Sequence, residues 1–318
     1  MTFARDLASF ADSASQNLTF RNKIINGDFN IWQRGTSFTA NQAYNADRWN
    51  SGWDSSPTVT ISRQAFTAGT APVAGYEGTF FHRTAVSSLS SMTLLDTKQH
   101  IEDVRTFANQ TVTVSFWAKA DTTRNITVFL LQNFGTSGSA DVTTSTASIS
   151  ATTSWTRFSA TFNVPSVAGK TINANNYLAL FLRYPAATFT IDIWGVQVEA
   201  GPAATPFEIR PIQTELALCQ RYFWKGYVAA GGVWGGSGGS VPIVGWAFPT
   251  TMRATPSWTY ISGGTAGNGN SDFTVTGGLT FTAQADSSRI LLTISGSTGS
   301  NTQGCEVRNV LSSFSAEL

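Results

Sequence analysis

Alternation of apolar and polar residues constrains this chain more than any other feature. Residues 111–118 read Thr-Val-Thr-Val-Ser-Phe-Trp-Ala, and residues 125–131 read Asn-Ile-Thr-Val-Phe-Leu-Leu. A period of two puts successive side chains on opposite faces of an extended strand, so each run predicts a strand with one buried face. Residues 155–164, 177–184 and 189–199 have the same form and are separated by Gly, Ser, Asn and Pro clusters that predict loops. Eight or so strands at this spacing predict an all-β chain built as a sandwich of two sheets. Composition agrees. Charged residues make up 12% of the chain, against about 25% in ordinary soluble domains. The 10 Trp and 22 Phe carry enough apolar area for two cores within 318 residues.

Four segments follow. Residues 1–20 carry Phe3, Leu7, Phe10 and Ala14 on one helical stripe, which predicts a short helical attachment segment that must pack on something larger. Residues 21–206 hold the strand-rich text of the first β domain. Within it the Thr/Ser-rich stretch 135–153 keeps Val142 and Ile149 for packing in an irregular strand or long loop. The breaker-rich Gly-Pro-Ala-Ala-Thr-Pro at 201–206 marks a boundary. The segment 207–225 is expected to be a linker helix, with Pro211 suited to its first turn. Residues 226–318 are rich in Gly and predict a smaller β-sandwich with short strands near 243–248, 257–261, 273–275, 279–283 and 290–294.

Several function classes lack their residues. A formal net charge of +1 without a block of like charges removes the electrostatic footprint of a nucleic-acid binder. Low charge with many hydroxyls and amides suits neutral partners such as glycans, or faces buried between subunits. No stretch approaches the ~18–20 apolar residues that span a bilayer, and the first 16 residues lack the apolar core of a signal peptide, so synthesis in a cytoplasm is expected. Cys219 and Cys305 are far apart and outside any metal-ligand spacing, and are read as free thiols. His82 and His100 are too widely spaced for a local metal motif. No GxSxG, HExxH or phosphate-cradling Lys loop occurs. A hydrolytic carboxylate pair could be assembled only from residues such as Glu77, Asp96, Glu102 and Asp103. The long internal repeats of a parallel β-helix are absent.

Asn26-Gly27-Asp28-Phe29, followed by Trp32 and by Asp47-Arg48-Trp49, resembles the opening of the β-jelly-roll carbohydrate-binding modules of the cellulose- and xylan-binding kind. The strand 112–120, the stretch 155–165 and Phe189-Thr190-Ile191-Asp192-Ile193 resemble that family's later strands in order. Residues 24–29 with Trp32-Gln33-Arg34-Gly35, then Val198-Glu199-Ala200-Gly201 and 208–222, also resemble tail-fibre and minor structural proteins of tailed phages, over roughly residues 22–224. Phe248-Pro249 and Met252-Arg253-Ala254-Thr255-Pro256 resemble the small β domain that follows in such proteins.

These resemblances imply a jelly-roll first domain in a virion fibre or spike subunit. Such a subunit would be a homotrimer exposed on the particle, contacting other virion proteins and binding host-surface glycan without catalysis. The alternatives are a ligand-free head-spike or decoration protein, and a polysaccharide depolymerase. The family's structural calcium would fall here on Asp28 and Asp192 with backbone carbonyls, although the carboxylate expected after the Phe is replaced by Asn30. A sugar site needs an aromatic platform with polar groups that fix hydroxyls. Trp53, Tyr76 and Tyr184 near loops, and Trp234 inside the Gly-rich GGVWGGSGGS, are the candidates. Trp32, Trp49, Trp117, Trp155 and Trp194 are assigned to the core. Arg34 and Arg48 are assigned to pairing with Asp28, Asp47 or backbone carbonyls.

Overall fold

The computed structural model describes residues 20–233, 240–267, 272–273, 280–285, 287–295 and 304–318. The expected helix at 1–20 and Trp234 lie outside the described residues. The chain divides into two compact units, residues 1–211 with Leu318 and residues 212–317.

The first unit is the expected β-sandwich of jelly-roll type. One sheet has six strands in the order β1 (Ser37–Phe38), β4 (Thr58–Ala65), β5 (Phe80–Ser88), β13 (Phe189–Ala200), β7 (Thr111–Ala120) and β11 (Thr156–Asn163). The other has seven. Its path runs β10 (Ala147–Ala151), β8 (Arg124–Asn133), β12 (Tyr177–Arg183), β6 (Leu95–Glu102), β3 (Trp49–Trp53) and β2 (Ala43–Tyr44), with β9 (Val142–Thr143) also paired to β8. All neighbours are antiparallel. Alternation supplies the filling: Val112, Val114 and Phe116 from β7 meet Ile126, Val128 and Leu130 from β8 and Leu178, Leu180 and Leu182 from β12 in one core. The Thr/Ser-rich stretch becomes the short edge strands β9 and β10, with Ile149 buried.

The Asn-Gly-Asp-Phe opening fastens the two sheets together. Asn26 is fully buried at φ 56°, a region that Asn tolerates. Its side-chain amide donates to the carbonyls of Ile31 (2.8 Å) and Asp47 (3.1 Å), and its Oδ1 accepts from Ile31 N (3.0 Å). The Trp49 indole donates to the Asn26 carbonyl at 3.0 Å. Gly27 meets a bulge in β13, where Val196 N donates to the Gly27 carbonyl at 2.9 Å. A Cβ on Gly27 would lie 2.2 Å from the Val196 carbonyl oxygen, so no larger residue fits without moving backbone. The bulge turns on Gly195 at φ 65°, over which the Trp117 ring closes. Asp47 accepts from Gln33 N (2.7 Å) and Arg34 Nη1 (3.3 Å), and Arg48 donates to the His100 carbonyl (2.6 Å), so both arginines act as expected.

The expected linker helix is shorter than 207–225. It is α1 (Ile212–Gln220), and residues 223 onward already belong to β14 (Phe223–Val233) of the second unit. The stretch 201–210 is not a free linker either. Phe207 packs on Trp117 and Trp194, with ring centroids 6.3 and 5.2 Å away. Glu208 accepts from Asn22 N at 2.7 Å, and Arg210 donates to the carbonyls of Asn22 and Ile24. This strap holds the start of the described chain against the sandwich.

Among the described residues the second unit has two sheets. One runs β14, β20 (Gly304–Ser315), β16 (Ser257–Gly267) and β17 (Asp272–Phe273); the other runs β15 (Ser240–Ala247), β19 (Arg289–Ser295) and β18 (Thr280–Ala285). Trp224, Phe248 and Phe314 meet at centroid distances of 5.2–6.0 Å, beside buried Met252. Its two longest strands with a described core residue, β14 and β20, escape a period-two search because Gly and Ser occupy many of their positions. Cys219 is buried in α1.

Candidate functional site

A strand buried on one face should be polar on the other, yet β8 and β12 are apolar on both. Ile126, Val128 and Leu130 point into the core, while Phe129 and Leu131 have the opposite parity; Leu178, Leu180 and Leu182 point in, while Tyr177 and Phe181 point out. The outer face of the seven-stranded sheet therefore carries aromatic side chains. Phe129 and Phe181 are directly opposed across the strand pair, stacked at 4.9 Å with planes 6° apart. The Arg183 guanidinium lies 5.2 Å from the Phe129 centroid and Lys98 Nζ lies 5.7 Å from that of Phe181.

Arg183 is held rigidly. Its Nε and Nη2 donate to the two oxygens of Asp96 at 2.8 and 2.9 Å, a bidentate pair from adjacent strands, and its side chain stays 39% exposed. Lys98 donates to Gln42 Oε1 at 3.3 Å; burial lowers its pKa, against the pull of Asp96. Further along the face His100 stacks on Tyr177 at 3.9 Å and 11°. Burial first, then the Arg48 charge, pushes His100 down to about 4 even though its Nδ1 lies 3.1 Å from the Leu318 carbonyl, so the ring is neutral. Burial also raises the Tyr177 hydroxyl, with Asp141 adding to the shift. Beside Phe129, the edge strands leave a groove of about 290 Å³ lined by Thr127, Phe129, Leu131, Thr143, Thr146, Phe181 and Arg183.

The outer face of the six-stranded sheet is closed by the chain itself. Phe81, Trp117 and Trp194 are buried there under Phe66, Val73, Tyr76, Trp155 and Phe207. Trp155 is half-buried in this cover, whereas Trp32, Trp49, Trp117 and Trp194 are buried as expected.

The expected sugar platforms are not where the aromatic face is. Trp53 points inward at 7% exposure, because β3 pairs Trp53 with Leu95 and both fill the core. Tyr184 is 3% exposed, packed on Phe189 at 5.5 Å, and burial pushes its hydroxyl up to about 12. Neither ring can lie against a sugar. Tyr76 stacks on Trp194 at 5.8 Å and reaches Asp28 Oδ2 at 3.4 Å, which places it in the cover of the opposite sheet. Trp53 ends β3 and Tyr184 directly follows β12, and in both the inward parity of the strand carries on to the edge of the loop.

The calcium expectation is corrected in the same way. Asp192 Oδ1 and Oδ2 accept from Arg83 Nε (2.7 Å) and Nη2 (2.9 Å), and Lys119 Nζ lies 3.5 Å from Oδ2. Two cations already neutralise that carboxylate. Asp28 accepts instead from Asn30 Nδ2 at 2.6 Å and from Tyr76. The Asn30 amide and backbone N–H thus make Asp28 a turn-capping residue. Among the described residues no cluster of three or more His, Cys, Asp or Glu could hold a metal.

The carboxylates that might have served hydrolysis are dispersed. Asp96 belongs to Arg183, Glu77 accepts from Gly69 N at 2.7 Å, and Asp103 pairs with Arg105 at 3.2 Å. Asp96 and Glu102 share a strand face six residues apart, about 20 Å at strand rise. A retaining or inverting pair needs roughly 5–9.5 Å.

Fold and face together define a two-unit all-β protein whose larger unit is a jelly-roll sandwich with one sheet face closed and the other aromatic and open. No protein-family model and no curated protein matches the chain. Among solved structures it is similar to the enzymatically active domain of bacteriophage CBA120 tailspike protein 4, at 16% identity and a TM-score of 0.38 over 57% of this chain; the match spans 22% of the tailspike chain. It is also similar to a CBM4 structure, at 21% identity and TM-score 0.34, covering 55% of this chain and 98% of that one. A family 11 carbohydrate-binding module from Clostridium thermocellum, in complex with a β-1,3-1,4-mixed-linked tetrasaccharide, matches at 12% identity and TM-score 0.33 over 54% of this chain and 98% of its own.

Proposed function

We propose that this chain is a non-catalytic, glycan-binding structural subunit of a fibre or spike on a tailed phage or phage-like particle. Its ligand, a host-surface saccharide, lies on the outer face of the seven-stranded sheet. One observation carries the binding half: Phe181 stands half-buried on a solvent-side sheet face, stacked on the buried Phe129 ring, beside Arg183, whose geometry Asp96 fixes. Sugar recognition needs that combination of a flat apolar surface for pyranose C–H groups and a positioned donor for hydroxyls. The particle half rests on the sequence resemblance over residues 22–224.

Glycan-array binding by the whole chain tests the reading. Phe181→Ala, which removes a half-buried outer ring and leaves the core untouched, is expected to weaken binding roughly tenfold with the β-sheet circular dichroism unchanged. Silence across an array of host capsules and lipopolysaccharides would favour a ligand-free decoration protein. New reducing ends released from such polysaccharides would identify a depolymerase instead.

A further inference from the structure

The groove beside Phe129 has a chemistry that narrows the ligand, and this step rests on the glycan-binding reading above. Leu131 and Phe181, both half-buried, and the edge of the buried Phe129 supply its carbon lining. Thr127, Thr143, Thr146 and Arg183 also line it, Thr143 and Thr146 being exposed. Asp96 takes Nε and Nη2 of Arg183, which leaves Nη1 with two N–H donors beyond the bidentate pair. Because that pair is internally neutral, the groove presents no uncompensated charge to an occupant. At about 290 Å³ it is at the small end of ligand sites, which run from about 300 to 1,000 Å³, and suits a single sugar ring.

A hydroxymethyl or carboxylate group set against Leu131 and Phe129 would lose its water without gaining a partner, and an unpaired buried polar group is costly. A methyl group there gains burial instead. We infer that the groove selects a neutral pyranose bearing a methyl group, directed at Leu131 and Phe129, while the ring hydroxyls meet the threonine rim and Arg183 Nη1. Such a methyl occurs on a 6-deoxyhexose or in an N-acetyl group, and the two sources are separable by experiment.

Saturation-transfer NMR and competition titration on the full chain, with free L-rhamnose, L-fucose, N-acetylglucosamine, N-acetylgalactosamine, glucose, galactose and glucuronate, provide the test. The expected result is strongest saturation at the methyl protons and a preference of about fourfold or more over glucose and galactose, the worth of burying one methyl. Which pair of methyl sugars wins identifies the source. Leu131→Ser is expected to erase that preference, bringing the methyl sugars down to the affinity of glucose and galactose. Thr146→Val, on the exposed rim, should weaken all the sugars alike. Equal affinity for glucose and the methyl sugars, or a preference for glucuronate, would overturn the inference and leave the glycan-binding reading standing. No binding by any sugar, free or on the array, would remove both.

Discussion

His82 sits inside the sandwich against Phe29 and Trp32, with ring centroids 5.2 and 5.9 Å away, and its Nε2 lies 3.1 Å from Asn45 Oδ1. Burial alone pushes its pKa from 6.5 to about 3, as burial and Arg48 push His100 to about 4. In the unfolded chain both rings take up a proton near pH 6.5; in the folded chain both refuse it. Stability is therefore complete above about pH 6.5 and falls as the pH drops toward 4, by about 1.4 kcal/mol per pH unit for each ring. Urea unfolding at pH 7.5 and pH 5 should show the loss, and His82→Gln should flatten part of the slope. An unchanged midpoint across that range would mean that the rings are not held neutral. Nothing in the residues around His82 announces this burial. It follows from the parity of β5, which turns His82, Thr84 and Val86 inward.

At the scale of elements, β8 and β12 carry the proposed site and the strap at 201–210 helps to close the opposite face. The site was legible in part. Residues 125–131 and 177–184 place apolar residues at both parities, and that signal marks an aromatic outer face once one knows that the outer side meets solvent. Trp and Tyr near loops drew attention away from it, because a large aromatic beside a turn can belong to either face. The strap was less legible. Gly-Pro-Ala-Ala-Thr-Pro has the composition of a linker, and only the meeting of Phe207 with Trp117 and Trp194 makes it part of the sandwich. Phe207→Ala should lower the stability of the first unit by about 2 kcal/mol, a discount on full aromatic truncation because the ring is half-buried. Thermal or urea unfolding measures it; a change within 0.5 kcal/mol, about the spread of surface substitutions, would show that the strap is dispensable.

At the scale of the whole molecule, the proposed single-sugar groove would bind weakly by itself, and several copies held together would raise avidity without new contacts. The proposed fibre or spike role carries a trimer with it. Light scattering at physiological salt should report a mass of three chains; a monomer over a wide concentration range would refute that assembly. The amino-acid order by itself determined that the chain is all-β, with two strand-rich parts separated in sequence by a short helical segment, and that Trp32, Trp49, Trp117 and Trp194 are core. Those properties are local: a period of two and turn residues act within a few positions. Tertiary structure alone decided that Trp53 and Tyr184 face inward, that Asp192 belongs to Arg83 and Lys119, and that Phe181 and Arg183 lie on the outer face over the buried Phe129 ring. Register between strands distant in the chain sets which side chains become neighbours, and no local pattern encodes that pairing.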